Sequence, residues 1–179
     1  MSYKLSRRRF IKLSAAAAMA AAAFSLTGCD SSSSTPTAPD IPPFGKTQTI
    51  AGGIVVNFKE TQFYQNWSKY QAFVDVTIPA DYLKPSESIY IKPSDFSAKL
   101  DGKDIPSNQL EVHFGPGPNW SKLSDTGLRT YSNTTQNFRI QLAGPVGASK
   151  LQVSYTFKYG DVEETATAEG DVSANQSKR

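Results

Sequence analysis

NFRIQLAGPVGASKLQVSYTFKYG, Asn137 to Gly160, decides the fold. Phe138, Ile140 and Leu142 alternate with polar neighbours, a small-residue break follows, and Leu151, Val153, Tyr155, Phe157 and Tyr159 alternate again before a turn at Gly160-Asp161. A repeat of two places one set of side chains on a core and the other in water, so the segment reads as two antiparallel strands.

The same period runs outward in both directions. Ile54, Val56 and Phe58 alternate in AGGIVVNFKETQF, and Ala72, Val74, Val76 and Ile78 in YQAFVDVTIPA, which Pro79 ends. IYIKPSDFSAKLDGKDI gives a short strand, a corner at Pro93-Ser94-Asp95, and a strand with Phe96, Ala98 and Leu100 inward before the hairpin signal Asp101-Gly102. LEVHF turns Leu110, Val112 and Phe114 inward, and VEETATAEG reads as a polar edge strand whose Glu163, Glu164 and Glu169 discourage edge pairing. About eight strands with turns roughly every ten residues and no convincing helix predict an all-β, antiparallel immunoglobulin-like β-sandwich, with a barrel as the alternative.

The first 28 residues have a different character. A basic head (Lys4, Arg7, Arg8, Arg9, Lys12) precedes an alanine-rich run from Leu13 to Leu26 that is short for a membrane-spanning helix, which needs about 20 strongly apolar residues. A secretory signal fits better. Within it Ser6, Arg7, Arg8, Phe10, Ile11 and Lys12 fill a pattern that resembles the twin-arginine export motif, with Ile11 in place of the commoner Leu. Leu26-Thr27-Gly28-Cys29 resembles a lipobox, which implies diacylation of the Cys29 thiol and cleavage before it.

The expected organisation is therefore a cleaved signal (1–28), a lipidated Ser/Thr/Pro-rich tether (29–45), a sandwich domain (46–171) and a polar tail (172–179). Localisation follows as lipid-anchored on the extracytoplasmic face of the cell membrane. Asp30, directly after the acylated cysteine, would retain the protein at the inner membrane of a host with two membranes.

Cleavage also reverses the charge. The whole chain is formally +3, but five of its nineteen basic residues and none of its sixteen acidic ones precede Cys29, leaving −2. That balance provides no basic footprint for nucleic acid. One histidine and one cysteine, the latter used for lipid, are too few for a zinc, copper, haem or iron–sulfur centre, so neither metal nor cofactor is expected.

IYIKPSDFSAKLDGKDIPS (89–107) together with TYSNTTQNFRIQLAGPVGASKLQVSYTFKYG (130–160) resembles the telokin-like, immunoglobulin-fold extracellular domains of bacterial lipoproteins. The resemblance covers roughly Tyr70 to Tyr159 and lies in structural turns, so it implies a fold and a setting more than an activity. FGPGPNWSKLSDTG (114–127) departs from the pattern as a long insertion.

Two groups of residues are candidates for function. His113, Ser121 and Asp125 supply the residue types of a catalytic triad, but nothing in their spacing specifies the geometry, and a lone outward histidine on a strand reads as a surface residue. A small hydrolase centred on His113 is thus an alternative to the expected non-enzyme, and no catalytic residue is assigned. The aromatic loops TQFYQNWSKYQ and HFGPGPNWSKL carry Tyr64, Trp67, Phe114 and Trp120, and both contain Asn-Trp-Ser-Lys. If they share one end of the sandwich, Trp67 and Trp120 could stack on a carbohydrate or anchor a protein partner. Alternatively each caps the core. The sequence expectation is that Trp67 supports the fold, Trp120 stands exposed in its loop, and the protein is a non-catalytic binding or accessory module.

Overall fold

A computed structural model describes residues 40–64, 68–145 and 147–172, so the export motif, Cys29 and Trp67 lie outside the described residues. The alternating segments form β1 (Thr47–Ile50), β2 (Ile54–Tyr64), β3 (Lys69–Ile78), β4 (Ile89–Ile91), β5 (Phe96–Leu100), β6 (Lys103–Asp104), β7 (Leu110–Phe114), β8 (Ser121–Lys122), β9 (Leu128–Thr130), β10 (Thr134–Ala143), β11 (Lys150–Tyr159) and β12 (Val162–Asp171). Eight of them, β2, β3, β4, β5, β7, β10, β11 and β12, are the strands that periodicity predicts, and β1, β6, β8 and β9 supplement them. Among the described residues no helix is long and apolar enough to cross a membrane.

Two antiparallel sheets face each other, in the orders β1-β2-β3-β10-β7-β8 and β12-β11-β5-β6, and β4 and β9 make a small third sheet. The inward sets meet as expected. Ile54, Val56, Phe58, Ala72, Val74, Val76, Ile78, Phe138, Ile140 and Leu142 are buried on one side, and Phe96, Ala98, Leu100, Leu151, Val153, Tyr155 and Phe157 on the other. The middle is aromatic: Phe96 lies 5.0 Å from Phe138 across the sheets and 5.1 Å from Tyr155 beside it, centroid to centroid.

One flank of the sandwich closes through side chains. The Gln48 amide donates to the Thr167 carbonyl (2.7 Å) and accepts from the Thr167 N–H (3.2 Å), so β1 satisfies the free edge of β12 without a continuous ladder. Ala51 N–H donates to Glu164 Oε2 at 2.7 Å nearby. The architecture is therefore a sandwich whose edge is capped, and a closed barrel is not formed.

Four details differ from the sequence reading. Pro42 to Gly45 belong to the domain: Glu169 N–H donates to Pro42 O, Gly45 N–H to Phe58 O, and Phe44 meets Phe58 edge-on. Val172, assigned to the tail, is buried, with its N–H bonded to Ser149 O. Tyr159, assigned inward, ends β11 partly exposed. A bulge in β2 between Phe58 and Thr61 shifts the alternation, so that Thr61 and Phe63 take over the inward face.

The ladders also give the sandwich two ends. At the first, where the chain arrives beside Glu169, Tyr70 donates to Pro145 O and accepts from Ala148 N–H, while Asp101 accepts from Ser149 N–H and Oγ–H and from Lys150 N–H. At the second, the ten residues of β11, roughly 33 Å of strand, further on, lie Pro79, Tyr82, Tyr159 and the β4–β9 pair.

Candidate functional site

Because Val74, Val112 and Ile140 face the core, their neighbours form rows on the outer face of the six-stranded sheet. The register aligns one such row as Lys122, His113, Arg139 and Phe73 across β8, β7, β10 and β3. Trp120 folds back over this row, its ring 5.8 Å from that of Phe73 and the Arg139 guanidinium 5.3 Å from its centroid. A Cβ on Gly117 would sit 3.4 Å from the indole nitrogen, so the loop backbone lies against the same ring. The next row runs Glu111, Gln141 and Gln71, and Lys69 pairs with Glu111 at 3.5 Å.

This placement revises the expected exposure of Trp120. The side chain is half-buried and holds its loop on the sheet, with an arginine–aromatic contact as glue. Phe114 is not beside it: it packs against the core from the other side of the same sheet. Of the hairpin side chains, Tyr64 and Trp67 lie outside the described set. The described remainder of that Asn-Trp-Ser-Lys, Ser68 and Lys69, stands at the first end of the sandwich, four residues from Phe73 along β3, about 13 Å. Trp120 instead lies near mid-height, where Gly115 N–H bonds Asn137 O.

The register also decides against the triad. His113 is opposite Lys122, and Ser121 is opposite Phe114, so Ser121 and His113 project from opposite faces of the sheet. His113 Nδ1 is buried without a hydrogen-bond partner, hence no carboxylate orients it. Burial, then the adjacent Arg139 cation, lower the imidazole pKa, with Glu111 opposing. Among the described residues no three His, Cys, Asp or Glu side chains gather as metal ligands.

A depressed histidine makes stability pH-dependent in a defined direction. The unfolded chain takes up the proton first, so the contribution is complete above about pH 7 and falls as pH drops through the ordinary histidine value of about 6.5. It levels off once the folded form is protonated too. Urea unfolding at about pH 7.5 and about pH 5.5 should show a loss in the wild type that His113→Gln diminishes. Equal losses in both proteins would mean that His113 is solvated.

Exposed aromatic residues that sequence reasoning missed lie at the second end. Tyr90, Tyr131 and Tyr159 are the exposed large hydrophobic side chains of the described residues, at 51%, 43% and 36%. Tyr90 was legible as the outward residue of Ile89-Tyr90-Ile91. Its pairing with Arg129 of β9 was not.

No protein-family model matches the chain. No curated protein matches it either. Among solved structures it is similar to a family 123 glycoside hydrolase from Clostridium perfringens, described for glycolipid glycan hydrolysis, at 10% identity and a TM-score of 0.38. The match covers 62% of this chain and 21% of that one, so the chain spans about a fifth of the length of this relative.

Proposed function

We propose that the protein is a membrane-anchored extracytoplasmic lipoprotein whose immunoglobulin-like sandwich acts as a non-catalytic binding or accessory module. The observation that carries this reading is the order of features along the chain: an Arg7-Arg8 head, an apolar run, a lipobox ending at Cys29, a Ser/Pro-rich tether, and a β-sandwich. Each is what the next requires. An acylated Cys29 would hold the tether at the bilayer, and the tether would deliver the domain by the end that carries Pro42 and Glu169. The opposite end would then present its tyrosines away from the lipid.

A hydrolase is the weaker reading, since Ser121 and His113 lie on opposite faces. Anchoring has a direct test. A single acyl chain holds a protein only marginally, whereas two or more hold it firmly. Cys29→Ser should abolish palmitate labelling and shift the protein out of the membrane fraction or leave it uncleaved, while undiminished labelling would refute the lipobox. Pull-down of the lipidated wild type from its own membrane tests the accessory role, with a stoichiometric co-purifying protein as the expected result.

A further inference from the structure

The second end of the sandwich carries a surface with a composition of its own. Tyr90 and Arg129 are opposed in the β4–β9 ladder, and Tyr131, two residues beyond Arg129, lies on the same face. The Arg129 guanidinium stands 5.1 Å from the Tyr131 ring centroid, and its Nε–H donates to Ser88 Oγ at 2.9 Å. Ser88 thus helps hold the guanidinium against the Tyr131 ring, with Tyr90 directly cross-strand. Among the described residues no carboxylate pairs with Arg129. Glu87, next to Ser88, is held elsewhere: it accepts from Tyr159 Oη–H at 3.1 Å and pairs with Lys84 at 3.5 Å.

We propose that Tyr90, Arg129 and Tyr131 form a binding site for a carboxylate-bearing oligosaccharide, a polymer of uronic acid type. The proposal deepens the binding-module reading. An exposed cation on one tyrosine ring, with a second exposed tyrosine cross-strand, calls for a ligand with an anionic group and an apolar face. A uronic acid has both, since its ring presents a C–H face that stacks on a tyrosine, and its carboxylate can accept two parallel N–H bonds from a guanidinium.

The footprint favours a sugar over an acidic protein segment. Tyr90 and Tyr131 offer about 200 Å² between them, taking roughly 150–250 Å² per aromatic side chain, against about 800 Å² per partner in a stable protein interface. The chain leading into β4 is polar, with Lys84 and Ser86 exposed. A second copy of the chain is disfavoured because a two-fold contact here would set Arg129 near its own image.

The test is calorimetric titration of the purified full chain in detergent with hexagalacturonate, beside neutral cellohexaose and a poly-glutamate peptide. Saturable binding of hexagalacturonate is expected, about ten-fold or more tighter than of cellohexaose and weakened by salt. Arg129→Lys keeps the charge but loses the fork, and Tyr90→Ala removes one ring; each should weaken binding about ten-fold or more with the unfolding midpoint unchanged. Absence of binding, equal affinity in wild type and both variants, or tighter binding of poly-glutamate would overturn the proposal. Because titration in detergent is independent of acylation, such a failure beside intact palmitate labelling would sink the glycan site alone.

Discussion

Phe138→Ala is expected to cost the domain about 3 to 5 kcal/mol, the range for removing a fully buried aromatic ring. Phe138 has no exposed surface and belongs to β10, which has β3 on one side and β7 on the other. Its backbone is fixed by register to Val74 and Phe114, so the sheet has little freedom to collapse into the space left behind. Across the sheets it touches Phe96, which in turn touches Tyr155, so the cavity would open at the junction of three rings. Against a total stability of about 5–15 kcal/mol for a typical domain, this loss leaves the fold marginal. Urea unfolding followed by far-ultraviolet circular dichroism measures it, and Phe138→Leu should recover more than half. A loss below about 1 kcal/mol would show that the centre repacks freely, contrary to the interlocked arrangement described.

The inward faces were legible because a strand's period of two writes burial directly into the sequence. Ala72 to Ile78 and Leu151 to Phe157 needed no other information. Where the reading failed, a contact distant in sequence decided the outcome. The β2 bulge, which buries Thr61, is fixed by pairing with β3, and Val172 is buried because Ser149 accepts its N–H. Ala166 and Ala168 sit in a glutamate-rich strand and are too small to announce a core face, yet both are fully buried.

The sites were less legible than the fold for the same reason. Trp120 looked free in a Gly/Pro loop, because Phe73 and Arg139, which hold it, come from strands 47 and 19 residues away. Arg129 meets Ser88 across 41 residues and a register no local pattern encodes. The Asp101-Gly102 turn, by contrast, was predicted from two letters, because its signal is local conformation.

Gly127→Ala should have the second large effect, and it joins local conformation to the distal surface. Ser124 to Gly127 form a turn closed by Gly127 N–H to Ser124 O at 2.9 Å, with a side-chain bond between Ser124 and Thr126. Gly127 lies at φ +85°, where an L side chain costs about 1–2 kcal/mol. Its missing side chain is also occupied space: a Cβ would stand 2.8 Å from Ile91 O and 2.9 Å from Lys92 Cγ. The lysine can move, but the carbonyl belongs to β4 and faces Leu128 in the ladder, so the clash must part β4 from β9. Overpacking of this kind costs a further 1–3 kcal/mol, about 2 to 5 kcal/mol in all. Gly102→Ala is the control, since φ is +76° there and nothing lies within 4 Å of the added carbon, leaving only the conformational term. Urea unfolding of the two variants separates the contributions. Gly127→Ala should be the more destabilised and should lose hexagalacturonate binding, because Arg129 and Tyr131 follow the turn directly. Equal costs in the two variants would mean that β9 yields to the added carbon and that the β4–β9 pair does not hold Arg129 against Tyr90.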